Sequence, residues 1–169
     1  YPVPVLWDRE KLREMYCKLQ GENKAECGIP EILSRQRAYF AQGATLDVKH
    51  RLRRLKALYQ ALKTNLDALH AGLKADLGKS ETESYMCETG LVMSELSYMI
   101  KHVRSYSKPK RVPTPLAQTL SKSYRLPSPY GTVLIMNPWN YPVLLSLDPL
   151  IDAVAAGNTV VLKLSAYSP

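Results

Sequence analysis

The sequence predicts an α/β fold in which N-terminal helices lead into the first strand–helix–strand unit of a doubly wound parallel sheet. Three observations carry that prediction. Apolar residues recur every three or four positions from Leu52 to Leu73, as on one face of a helix. Two short runs rich in β-formers, Thr132–Met136 and Thr159–Lys163, are apolar without alternation, as strands buried on both faces are. Between them, Leu144 to Ala156 reads as a helix ended by Gly157. A strand, helix and strand within about 30 residues makes a right-handed crossover between parallel strands.

The 169 residues suffice for one ordinary domain or part of a larger protein. With 46% hydrophobic and 22% charged residues, a disordered tail is excluded. No apolar run reaches the roughly 18–20 residues that cross a bilayer, and the first residues lack the pattern of a signal peptide. Cys17, Cys27 and Cys87, an odd number at unrelated spacings, argue against a disulfide framework and for a reducing, cytoplasmic setting. The chain opens on Tyr1 and stops at Pro169 after a strand-like run, so both ends are expected to be cut.

Residues 1–30 form a leader without recognisable chemistry. Asp8 can cap a short helix carrying Leu12, Met15, Tyr16 and Leu19, and Gly21, Gly28 and Pro30 then mark a loop. Residues 31–108 form a helical segment. Its long apolar stripe has Thr45 as a cap and Gly78 as a stop. The stripe fits either a coiled-coil seam or, because Thr64 and Asn65 interrupt it, two packed helices. Ser80 to Glu83 fits a capping box for a further helix that buries Tyr85, Val92, Leu96, Met99, Ile100 and Val103 and ends before Pro109. Met86, Met93 and Met99 read as core filling.

Residues 109–130 form a Pro-rich basic arm. The net charge of +8 is concentrated around it: Lys101, Arg104, Lys108, Lys110, Arg111, Lys122 and Arg125 fall in a stretch without Asp or Glu. Such a stripe can be a nucleic-acid footprint. Here it lacks a recognition motif and is broken by Pro109, Pro113 and Pro115, so a solvated arm, with no nucleic-acid partner, is the expectation.

Open α/β sheets bind ligands beyond the carboxyl ends of their strands. Two segments occupy that edge, Asn137–Pro142 after the first strand and Lys163–Ser165 after the second. Asn140 and Lys163 therefore share a rim. An amide NH₂ can donate to a developing oxyanion without titrating, and a lysine can hold a ribose hydroxyl or phosphate. A purely structural reading, with prolines shaping a turn, Trp139 in the core, Asn140 tying the loop and Lys163 a solvated strand end, stays open. The glycine fingerprint of dinucleotide sites is absent, so spacing names no cofactor.

These residues carry a resemblance. The run from Gly131 to Pro142 (GTVLIMNPWNYP), the run from Leu150 to Lys163 (LIDAVAAGNTVVLK) and Ser165 resemble the start of the aldehyde dehydrogenase cofactor domain. Upstream, Gln36 to Phe40, Gly43 to Thr45, Asp76 to Ser80, and Ile100 with Lys101 resemble its class 3, fatty-aldehyde-like branch. The resemblance spans residues 31–169. It implies that residues 131–169 open a Rossmann-like NAD(P)-binding βαβ domain, incomplete in this chain, and that the whole protein is a homodimer oxidising an aldehyde with NAD or NADP. By the same resemblance Asn140 is the oxyanion donor and Lys163 and Ser165 contact the cofactor. Met136, Asn137 and Trp139 line its groove, and Tyr141 stands beside the aldehyde entrance. Two departures stand out. Leu164 replaces a usual proline, and Ala166 replaces a glutamate that binds ribose hydroxyls, which leaves room for NADP. The family's nucleophilic cysteine and general-base glutamate are expected beyond Pro169, so this chain alone is expected to be inactive. An acyl-CoA or acyl-phosphate reductase of the same superfamily, and a non-catalytic basic binding module, are the alternatives.

Overall fold

The computed structural model describes residues 28–168. The leader helix expected around Leu12–Leu19, with Asp8, Cys17, Gly21 and Cys27, lies outside them. Helix α1 (Ile29–Ala41) begins inside the stretch expected to be loop, because Pro30 sits in its first turn, where a missing N–H costs no hydrogen bond.

Helix α2 (Val48–Thr64) is capped by Asp47, not Thr45. The Asp47 carboxylate accepts the Lys49 and His50 amides at 2.9 and 3.2 Å. The bond from the Lys49 amide holds its pKa below the ordinary aspartate range. A charged acceptor gains from the positive helix end as well as from the bonds themselves. The Thr45 hydroxyl is buried and makes no hydrogen bond.

The long stripe divides at Asn65 into α2 and α3 (Leu66–Leu77), which settles the choice for two helices. The Thr64 hydroxyl donates to the Gln60 carbonyl at 2.9 Å and the Asn65 amide to the Ala61 carbonyl at 2.7 Å. Those side chains compete for carbonyls that the last turn of α2 uses, Ala61 also accepting from the Asn65 backbone N–H at 3.2 Å. Gly78 ends α3 as expected.

Ser80 caps α4 (Glu81–Ser84), its hydroxyl accepting the Glu83 amide at 3.1 Å. A π-helical turn over Tyr85–Thr89 then leads into α5 (Gly90–Tyr106). The wider turn re-phases the helix. Ser84, Glu88 and Thr89 point inward and are fully buried, while Tyr85 is 51% and Met86 67% exposed. The expected burial of Tyr85 and the core role of Met86 are thereby overturned. Glycine is required at position 90, because a Cβ there would lie 2.6 Å from the Tyr85 carbonyl oxygen.

The core joins Leu52, Leu55 and Leu62 of α2 to Val92, Leu96 and Val103 of α5 and to Ile151 and Ala155 of α6 (Pro142–Ala156). Met99 and Ile100 pack against it as expected. Helix α6 starts two residues earlier than predicted, with Pro142 in its first turn.

The arm that the sequence leaves as a solvated segment contains two strands, β1 (Lys110–Val112) and β2 (Ser123–Arg125), paired antiparallel with Lys110 opposite Arg125. It is mostly exposed, as expected. The strands β3 (Thr132–Met136) and β4 (Thr159–Lys163) have the predicted bounds. They pair in parallel, from Thr132 opposite Thr159 to Met136 opposite Lys163. Helices α1 and α6 both contact this pair. Leu134 and Met136 remain 59% and 68% exposed. No helix among the described residues is long and apolar enough to cross a membrane.

Candidate functional site

Because β3 and β4 run in register, the segments following Met136 and Lys163 leave the same edge of the sheet. The predicted rim is therefore real. Asn137 continues the pairing for one residue, its amide donating to the Lys163 carbonyl at 3.4 Å. Its side chain turns inward: Nδ2 donates to the carbonyls of Pro138 and Pro142 at 3.3 and 3.2 Å, and the buried Oδ1 has no partner. Asn137 thus braces the loop from within.

Met136, Trp139, Asn140, Tyr141 and Lys163 are exposed along that edge. Trp139 is not in the core. Ser165 is half-buried, and its hydroxyl accepts the Tyr167 amide at 3.2 Å. Exposed Met136, Trp139 and Lys163 leave the rim open to a ligand, while Ala166 offers no carboxylate to a ribose.

Beneath the loop lies a pair of charges that the sequence reading missed. Glu88, fully buried, places one carboxylate oxygen against the Lys79 ammonium. Its other oxygen accepts the Val143 and Leu144 amides at 2.8 and 3.2 Å. These are among the unsatisfied N–H groups at the start of α6, where a carboxylate meets the positive end of the helix dipole. Lys79 also donates to the Asn140 carbonyl at 3.0 Å and lies 4.1 Å from the centre of the Tyr141 ring, a cation–π contact. One buried ion pair thus grips the loop at Asn140 and Tyr141 and the helix that follows it. The available signals were Lys79 within the Asp76–Ser80 motif and the spacing of Glu88, four residues before Val92 and eight before Leu96 on the face that α5 buries.

The opposite end of α6 is held by a buried cation. Arg51 donates to the Ala155 carbonyl at 3.2 Å, to the carbonyls of Thr45 and Leu46 at 2.6 and 3.0 Å, and to the Ser107 hydroxyl at 3.2 Å. Burial pushes its pKa below the ordinary arginine value. The helix carrying the rim loop therefore has an anion at its amino end and a cation at its carboxyl end, the arrangement its dipole favours.

The exposed Asn140 side chain, on a loop fixed from below, can present a neutral N–H donor to an oxygen gaining negative charge. Among the described residues no group of His, Cys, Asp or Glu could hold a metal ion. Cys87 is a free thiol, half-buried in the π turn; Cys17 and Cys27 lie outside the described residues.

The chain matches the aldehyde dehydrogenase family over residues 12–169. It belongs to that family. The match begins earlier than the resemblance seen from residue 31, within a leader that shows no motif of its own. Aldehyde dehydrogenase family 3 member F1 of Arabidopsis thaliana is 41% identical over 141 residues, 83% of this chain and 29% of that protein. The 4,4′-diaponeurosporen-aldehyde dehydrogenase of Staphylococcus aureus is 40% identical over 79% of this chain and 29% of its own length. Human aldehyde dehydrogenase family 3 member B1 is 40% identical over 83% of this chain and 30% of its own. The class 3 resemblance is thus supported by relatives of that class.

Among solved aldehyde dehydrogenase structures, the substrate-bound Staphylococcus aureus AldH superposes with a TM-score of 0.80 at 38% identity, covering 82% of this chain and 30% of that one. A succinic semialdehyde dehydrogenase of Streptococcus pyogenes, solved with NADP+, shares the fold with a TM-score of 0.74 at 22% identity over 84% of this chain and 30% of its own. The chain spans about 30% of the length of the curated relatives it matches.

Proposed function

We propose that this chain is the N-terminal part of an NAD(P)-dependent aldehyde dehydrogenase that oxidises an aldehyde to a carboxylic acid. The observation that carries the reading is Asn140, exposed at the carboxyl edge of a parallel β3–β4 pair on a loop clamped from below. In the whole enzyme Asn140 donates a hydrogen bond to the aldehyde oxygen as a cysteine thiolate attacks the carbonyl carbon. It is joined there by the backbone N–H of that cysteine. A bound nicotinamide supplies the hydride acceptor. Lys163 holds a ribose hydroxyl or phosphate, Ser165, Met136 and Trp139 border the groove, and Tyr141 stands at the aldehyde entrance. Asn137, which the resemblance also places in that lining, supports the loop from within because its side chain is turned inward. Structures of the family contain NAD+ or NADP, and Ala166 is compatible with either. The nucleophile and base lie outside these residues, so the chain by itself does not turn over. A cytoplasmic homodimer is the state proposed for the whole protein.

The test uses the full-length protein with an aldehyde and NAD or NADP. Asn140→Ala is expected to slow the first turnover by roughly 10²–10³, the usual effect of removing one oxyanion donor. An unchanged first-turnover rate would leave Asn140 a turn residue.

A further inference from the structure

We propose that Lys79 and Glu88 are positioning residues for Asn140, and that their ion pair sets the rate of the oxyanion step without touching substrate or cofactor. The inference rests on Asn140 being the oxyanion donor. Three observations carry it. First, the exposed Asn140 side chain gains no fixed place from core packing, so its direction follows its backbone, and the Asn140 carbonyl is held by Lys79 at 3.0 Å. Second, the binding capacity of the pair goes to one short segment: Lys79 reaches Asn140 and the Tyr141 ring, and Glu88 accepts from Val143 and Leu144. Third, both charges are removed from water, Lys79 being 8% and Glu88 0% exposed.

A buried ion pair is weak evidence of stabilisation, since apolar residues of similar volume often serve as well or better. What apolar residues cannot do is hold a carbonyl and two amides at fixed distances. Losing the ammonium frees the Asn140 carbonyl and leaves Glu88 an unpaired charge at the start of α6. Losing the carboxylate charge loosens the amides and the lysine together. A misplacement of about 1 Å at a reacting centre can cost 10²-fold in rate.

The experiment measures the first-turnover rate of NAD(P)H formation and the dissociation constant of NAD(P)H in the full-length protein. The variants are Lys79→Met, Glu88→Gln, Lys79→Arg and Asn140→Ala, with the first two also made on the Asn140→Ala background. Lys79→Met and Glu88→Gln are each expected to slow the first turnover by about 10- to 100-fold while changing cofactor affinity less than about threefold, and Lys79→Arg to recover part of the loss. On the Asn140→Ala background the same changes are expected to add less than about twofold, because groups acting through one another are non-additive. A first turnover within twofold of wild type in both single variants would overturn the proposal, as would an equal fold loss with and without Asn140. If Lys79→Met does not fold, the Glu88→Gln pair of measurements decides by the same criteria. A slow Asn140→Ala beside fast Lys79 and Glu88 variants defeats this inference alone. A fast Asn140→Ala defeats the reading of Asn140 on which it rests.

Discussion

The guanidinium of Arg51 occupies the space that a side chain at Gly157 would need: a Cβ at that position would lie 2.8 Å from Arg51 Cζ. Gly157 also has φ of 95°, in the left-handed region that side chains disfavour. The end of α6 and the turn into β4 are therefore built around one buried cation and one missing methyl group.

Gly157→Ala should accordingly destabilise the full-length protein by roughly 1–3 kcal/mol, from backbone strain together with displacement of Arg51. Denaturant unfolding checks this. A midpoint equal to wild type would mean that Arg51 moves aside without loss and that the cation does not hold the helix end.

Cofactor choice should respond to position 166. Introducing Ala166→Glu places a carboxylate after β4, where it can accept from a ribose diol and repel a 2′-phosphate. Preference is expected to move toward NAD by about tenfold or more, equivalent to roughly 1.4 kcal/mol of differential binding. Comparison of kcat/KM for NAD and NADP measures it; an unchanged ratio would place residue 166 away from the ribose.

Stability should depend on pH through three carboxylates between α5 and α6. Burial, with Asp152 and Asp148 nearby, raises the pKa of Glu95. Burial with Asp152 nearby raises that of Asp148, and burial raises that of Asp152. The native state thus binds protons more readily than the unfolded chain, and stability falls as pH rises from the ordinary carboxylate range through the raised native values. The buried Asp148 Oδ1 has no hydrogen-bond partner to offset this. Asp148→Asn should raise the Tm of the full-length protein at about pH 7, with the gain shrinking as pH falls toward the ordinary carboxylate range and the carboxylates take up protons. A gain independent of pH would assign the effect to packing.

The 169-residue chain alone should produce no NAD(P)H from an aldehyde, and it should be helical but prone to association. Its helical core is closed by residues of α2, α5 and α6, whereas Leu134 and Met136 of the two-stranded sheet are open. Open apolar strand faces and unpaired edges favour intermolecular pairing. Circular dichroism, light scattering and an aldehyde assay check this. A monodisperse monomer with a sharp thermal transition, or NAD(P)H production that survives replacement of Cys17, Cys27 and Cys87, would contradict it.

The parts legible in the sequence are those whose signal is local and repeated. Thr132–Met136 and Thr159–Lys163 have the predicted bounds because continuous β-branched and apolar runs between glycine-marked turns leave little choice of register. Gly78 and Gly157 end helices for equally local reasons. The rim followed from topology, and Asn140 and Lys163 lie on it. What could not be read was a contact between distant charges: nothing near Lys79 points to Glu88, and nothing near Glu88 points to the amides of Val143 and Leu144. The ribbon at Lys110–Val112 and Ser123–Arg125 escaped notice because three-residue strands carry too few side chains to show alternation.

The π turn at Tyr85–Thr89 lets two adjacent side chains, Glu88 and Thr89, face inward together and be fully buried. In a regular α-helix neighbouring side chains point about 100° apart, so the wider turn brings both toward one side. Glu88 meets the amides at the start of α6, and the Thr89 hydroxyl lies 2.9 Å from His70 Nε2 on α3. Two neighbouring residues thereby join the support of the rim loop to a helix on the other side of the turn.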